Sequence, residues 1–308
     1  MSWSEAFVPL AVTTRSGFDE SVHHGAVVVI AGGEVAHSAG DIDVEIYPRS
    51  SNKPMQADAM VRFGLGVDDE QLALACASHD GTERHLAVVR SVLADAGLDE
   101  TALDNTPSLP LDECAAETVV ASGGQRSSIL MNCSGKHAAM VATCRSNGWP
   151  VVGYLEPAHP LQQAITDRIE ALAGPVVHIG VDGCGAPAHV LRLRRLADAF
   201  ATLAAARGPV WRAMTGYPDL VGGDRRVVTR VMRAIPGAMA KDGAQGVFAI
   251  AHPDGWAVAI KIADGQERPV PVVLATALAR IGVDLDGEAI SEPVLGHGRP
   301  VGRVRSLT

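Results

Sequence analysis

Ser50 and Lys53 stand three residues apart in Tyr47-Pro48-Arg49-Ser50-Ser51-Asn52-Lys53-Pro54-Met55-Gln56, just ahead of a stretch with helical spacing over 55–65. Residues three apart on a helix share a face, with about 5–6 Å between Cβ atoms, so a lysine amine can reach the serine hydroxyl. A serine hydroxyl is a poor nucleophile at neutral pH, and a buried, unprotonated lysine can serve as its base. Pro54 biases Lys53 away from helical geometry, which puts the pair at the mouth of the helix. The same residues have a plainer reading. Ser50 or Ser51 could be an N-cap and Lys53 a solvated first-turn residue, with Pro54 tolerated where no amide donor is needed.

Three further stretches are dense in reactive side chains. Cys76-Ala77-Ser78-His79-Asp80-Gly81 lies between two predicted helices, where Ser78 and His79 could form a relay or Ser78 and Asp80 could merely cap. Met131-Asn132-Cys133-Ser134-Gly135-Lys136-His137 precedes an apolar helix and could offer backbone amides to an anion, but it lacks the spacing of a Walker A loop. Val181-Asp182-Gly183-Cys184-Gly185-Ala186-Pro187 is a glycine-bounded turn presenting an acid and a thiol. Cys133 and Cys184 are either two buried, inert thiols or, if their loops converge, ligands for a soft divalent ion such as zinc. A second Cys or His pair, which a self-sufficient structural zinc site would need, is missing. Lys261, in Ala259-Ile260-Lys261-Ile262-Ala263-Asp264-Gly265, either faces solvent by alternation or faces a site.

The elements that must position these groups are strands at the chain ends and helices between. Ala26–Ile30, the turn Gly32-Gly33 and the return Glu34–His37 read as one hairpin. Val247–Ala251 and Trp256–Ile262, joined through Pro253-Asp254-Gly255, read as another, since Asp-Gly between apolar runs is a strong hairpin signal. Helical spacing covers 55–65, 69–76, 84–97, 135–147, 159–173, 187–206, 224–234 and 270–281, with short strand-like runs at 151–154 and 176–179. This order does not alternate as a doubly wound parallel sheet would. It predicts an α/β (α+β) protein with an antiparallel sheet from both chain ends and a helical insertion.

Bulk composition narrows the class. The chain has 308 residues, 47% hydrophobic and 20% charged, which suits a folded globular protein with a substantial core. A net charge of −9 argues against nucleic-acid and anionic-membrane partners. No secretory leader or membrane-length apolar run is visible, and the five widely spaced cysteines read as reduced thiols, so a cytoplasmic location is expected.

Together these pieces resemble the L-asparaginase II family, typified by the inducible rhizobial enzyme and distinct from the threonine-dependent and N-terminal-nucleophile asparaginases. The residues that carry the resemblance are Arg15–Ser21 with His24-Gly25; Pro48-Arg49-Ser50 with Lys53-Pro54 and Gln56; Ala77-Ser78-His79; Asn132–Ala138; His159–Gln162; and Asp182–Pro187. Cys-Ser-Gly-Lys-His and Asp-Gly-Cys-Gly-x-Pro are the specific motifs; Ser-x-x-Lys also opens the β-lactamase and penicillin-binding-protein set, whose strand motif Lys-Thr-Gly is only loosely matched at Lys261. The resemblance implies a serine β-lactamase-like fold forming one catalytic domain over 1–308, a homodimer, and hydrolysis of L-asparagine to L-aspartate and ammonia. It implies two Ser–Lys pairs, Ser50 with Lys53 and Ser78 with Lys261, with Thr82 as a fallback for the second serine. It places Arg49, His137 and Asp182 near substrate, and a modulatory Zn2+ on Cys133, Lys136 and Cys184. A glutaminase or other small-amide hydrolase on the same fold, and a non-catalytic metal- or amino-acid-binding protein, are the alternatives.

Overall fold

The computed structural model describes residues 2–307. The chain forms two compact units, one holding the chain up to Ser51, Leu191–Ala206 and Arg230 onward, the other holding Asn52–Val190 and Arg207–Thr229.

The first unit is built on a seven-stranded antiparallel sheet whose spine is the strand Phe18–Ala31. One edge of the spine pairs with Val8–Arg15 and then with Glu34–Ala39; the other pairs with Trp256–Ile262, Gly25 opposite Ile262 and Ala31 opposite Trp256. Val247–His252 and Met239–Gly243 continue the sheet on that side, and Val304–Ser306 closes the opposite edge against Val8–Arg15. Both chain ends thus enter one sheet, as the two hairpins predict. Every residue of Trp256–Ile262 is buried, which requires cover on both faces. The helices Leu193–Ala206 and Val270–Ala279 pack against this strand, and the first buries Leu196, Phe200 and Leu203 at helical spacing.

The second unit is mainly helical: Lys53–Arg62, Asp69–Ala75, Glu83–Asp95, Glu113–Ala121, Ser134–Ser146 and Pro160–Ala173. Ser134–Ser146 is its centre, buried without interruption from Ser134 to Cys144. Gly135 permits this: a Cβ there would lie 2.5 Å from the Leu74 carbonyl oxygen, so the helix crosses the end of Asp69–Ala75 at backbone contact.

Two expectations are corrected. The spacing over 187–206 predicts one helix, but Pro187–Arg192 is a strand and the helix starts at Leu193. The reason is a partner invisible to local spacing: Pro187–Val190 forms a ladder with His178–Val181. The run 151–154 is a turn rather than a strand, because Gly153 takes φ +78° and bends the chain, burying Tyr154. Val8–Arg15, not anticipated from the sequence, is a full strand. No helix among the described residues is long and apolar enough to cross a membrane.

Candidate active site and thiol cluster

Lys53 opens the helix Lys53–Arg62 directly after the 3-10 turn Arg49–Asn52, with Pro54 in the first helical turn. Lys53 and Ser78 are both buried, 3% and 6% exposed, and the Lys53 amine donates to Ser78 Oγ at 3.1 Å. It also donates to the Ala77 carbonyl oxygen. A buried amine in contact with a hydroxyl is the arrangement a serine–lysine mechanism needs.

The Ser78 loop is held by its own backbone. The amides of Ser78 and Asp80 donate to the Val221 and Gly222 carbonyls at 3.0 and 2.9 Å, and His79 N donates to Asn132 O at 2.9 Å. Gly223 has φ +154°, and a Cβ there would lie 1.7 Å from an Asp80 carboxyl oxygen, so only glycine fits against this loop. Thr82 caps the next helix, and its hydroxyl meets His85 Nδ1 at 2.7 Å.

Arg49, Ser50 and Lys261 belong to the sheet unit. Arg49 sits in the left-handed region at φ +51° and, like Ser50, is half-buried. The neighbouring Ser51 hydroxyl donates to Lys241 O at 3.1 Å, pinning this turn to the strand Met239–Gly243. Lys261 is buried in its strand, so of its two readings the solvent-facing one is removed, and its amine donates to Gln245 O at 2.5 Å. Burial pulls its pKa down, Asp264 opposes, and Arg49 adds to the lowering.

Cys133 ends the loop before Ser134–Ser146, and Cys184 lies on the hairpin turn joining His178–Val181 to Pro187–Arg192. That turn is closed by Asp182 N to Ala186 O and Gly185 N to Asp182 O, both 2.9 Å, with Gly185 at φ +90°. Asp182, half-buried, accepts from Gly183 N at 2.7 Å. The two loops do converge: ligand atoms of Cys133, His137 and Cys184 lie within 4.8 Å of one another, all buried. Ala186, Met131 and Leu155 form an apolar shell around the thiols.

The charges in this cluster are ordered. The hydrogen bond from Cys133 pulls the Cys184 thiol far below its ordinary range against the opposing effect of burial, with the Lys136 charge assisting. Cys133 is the protonated partner, raised by that bond and by burial. Lys136 donates to Cys184 Sγ at 3.3 Å; burial works to lower its pKa, but Cys184, Cys133 and Asp182 outweigh it and raise it. His137 is neutral, lowered to about 4 by burial first and then by Lys136. Its Nδ1 meets the Tyr154 hydroxyl at 2.8 Å, while its Nε2 is buried with no hydrogen-bond partner among the described residues.

This donor set fits a soft divalent metal. It has two thiols, an unpartnered imidazole nitrogen, and a tyrosine orienting the ring from its other side, as outer-shell partners of ligating histidines do.

Several residues here escaped the sequence reading. Asn52 Nδ2 donates to His189 Nδ1 at 3.4 Å, so the His189 proton lies on Nε2, which meets Thr166 Oγ1 at 2.9 Å. Burial and then Lys136 lower His189 to about 4. Asn52 lies between Ser50 and Lys53, so its place beside that pair was a signal; Tyr154 and His189 carry no local signal.

A model of the L-asparaginase II family matches residues 11–306. No curated protein matches the chain. Among solved structures, a β-lactamase from Mycobacterium bovis shares 17% identity over 84% of this chain and 95% of its own, with a TM-score of 0.44. A putative β-lactamase from Bacteroides dorei shares 14% over 80% and 86%, TM-score 0.42. EstCE1, a hydrolase with promiscuous acyltransferase activity, shares 11% over 89% and 94%, TM-score 0.40. These three likenesses are too distant to carry an argument; the family match spans nearly the whole sequence. The chain belongs to the L-asparaginase II family and is a hydrolase acting on a small molecule.

Proposed function

We propose that the protein is an L-asparaginase, hydrolysing L-asparagine to L-aspartate and ammonia through a serine–lysine mechanism. The observation that carries this reading is the buried 3.1 Å contact between the Lys53 amine and the Ser78 hydroxyl. Lys53 in its neutral form takes the Ser78 proton as the hydroxyl oxygen attacks the side-chain amide carbon. The resulting ammonium returns the proton to the departing ammonia, leaving an acyl-enzyme that water hydrolyses with the lysine again as base. The 3.1 Å bond supports Ser78 as the acylated residue. Ser50, Lys261, Arg49 and Asp182 enter through the family resemblance, Ser50 and Lys261 as a second serine and lysine, Arg49 and Asp182 as substrate contacts.

Zinc is proposed at Cys133, Cys184 and Lys136, with the His137 ring nitrogen in the same cluster. When bound it supplies a fixed positive charge that tunes affinity for an amino-acid substrate. A homodimer in the cytoplasm completes the proposal, its oligomeric state readable by light scattering.

Ammonia release from L-asparagine and L-glutamine, for the wild type, Ser50→Ala and Ser78→Ala, tests the reading. L-asparagine turnover that exceeds L-glutamine turnover and collapses in Ser78→Ala is the expected result. Preference for L-glutamine would reassign the substrate, and full turnover in both variants would remove the mechanism.

A further inference from the structure

We infer that His79 is a positioning residue: it braces the Ser78 hydroxyl against the loop that carries Cys133, so one side chain serves both the serine–lysine pair and the thiol cluster. The inference rests on the role proposed for Ser78. His79 follows Ser78 directly and grips the residues on either side of Cys133. Its backbone amide donates to Asn132 O at 2.9 Å, and its Nε2 meets Ser134 Oγ at 2.9 Å. Ser134 opens the buried helix that carries Lys136 and His137.

The ring is fully buried and has little freedom to move. It stacks on His85 with centroids 5.3 Å apart and planes 16° apart, and His85 is itself held by Thr82 Oγ1 and the Asp219 carbonyl. Burial, then His85 and Lys53, hold His79 well below its ordinary pKa, so the ring is neutral. Its Nδ1 has no hydrogen-bond partner among the described residues, which leaves the Ser134 contact as the ring's one directional tie. A neutral, stacked ring between two functional groups can transmit position without adding charge. Loss of that tie frees Ser78 to shift relative to Lys53 and frees Cys133 relative to Cys184.

Ser134→Ala removes the tie and leaves the ring in place. His79→Leu removes the ring's polar atoms, and His79→Gln puts an amide near the former Nε2 position. Loss of one buried hydrogen bond predicts that Ser134→Ala and His79→Leu each lose about tenfold in kcat on L-asparagine, with KM within about twofold. Loss of an outer-shell brace predicts a parallel fall of about tenfold in zinc affinity, measured by competition with a chromophoric chelator. His79→Gln restores both. A fall on one side without the other, in Ser134→Ala, would overturn the brace, and Ser134→Ala carries the test if His79→Leu does not fold. A wild-type protein inert toward L-asparagine would remove the asparaginase reading alone. The brace is then decided by the imidazole nitrogen resonances of His79. A zinc-induced shift in the wild type that vanishes in Ser134→Ala supports it, and no shift in the wild type overturns it.

Discussion

The Lys53 amine lies 3.1 Å from the Ser78 hydroxyl, although the two residues are 25 positions apart in the chain. Both are buried. Removing the base of such a pair costs about 10²–10⁴-fold in rate when it acts in proton transfer. Lys53→Met therefore loses turnover on L-asparagine by that margin. Wild-type rates in Lys53→Met would remove the lysine from the chemistry.

The thiol cluster makes its own prediction. Cys133→Ser and Cys184→Ser each lower zinc affinity by more than about 100-fold, beyond the loss of an outer-shell partner. Lys136→Arg keeps a cation beside Cys184 but cannot ligate, since a guanidinium does not give up its proton. It is expected to lose zinc by a similar margin in chelator competition. Full retention would pass the nitrogen position to His137.

His189 predicts an acid-sensitive fold. Its folded pKa is about 4 against an ordinary 6.5, so the unfolded chain binds the proton more readily. Stability is therefore intact above pH 6.5 and is lost as pH falls toward 4, by about 3.5 kcal/mol for the whole shift at about 1.4 kcal/mol per unit. Urea unfolding of the wild type and His189→Leu at pH 7 and pH 4.5 checks this. The variant loses less stability on acidification; equal slopes would contradict the assignment.

Gly135 is tested by the smallest substitution. Alanine favours a helix over glycine by about 1 kcal/mol, yet the new Cβ would lie 2.5 Å from the Leu74 carbonyl oxygen, a backbone atom that cannot rotate away. Crowding of this kind costs about 1–3 kcal/mol. Gly135→Ala is thus expected to lower the thermal midpoint, and a rise would show that the helix crossing is looser than its backbone contact implies.

What could be read from the sequence follows from how local each signal is. The Asp254-Gly255 hairpin was legible because its turn chemistry and its two apolar runs are contiguous, and the sheet from both chain ends followed. Local spacing makes Pro187–Arg192 read as helix because its ladder partner, His178–Val181, lies outside that spacing. Cys133 and Cys184 drew notice through their glycine-bounded motifs, but their convergence is a property of helix packing. Ser50 and Lys53 stand out in the sequence through i, i+3 spacing. The hydroxyl on the Lys53 amine comes from the Ser78 loop, whose place is set by backbone bonds to Val221 and Gly222. Tyr154, which orients His137, stood in a run that resembled a strand.

In the proposed mechanism Ser78, activated by Lys53, carries the acyl group. Rapid acid quench of the enzyme turning over L-asparagine, followed by peptide mass spectrometry, locates that group. An aspartyl adduct is expected on the peptide containing Ser78, absent in Ser78→Ala together with ammonia release. An adduct on Ser50 instead, or undiminished ammonia release from Ser78→Ala, would contradict it.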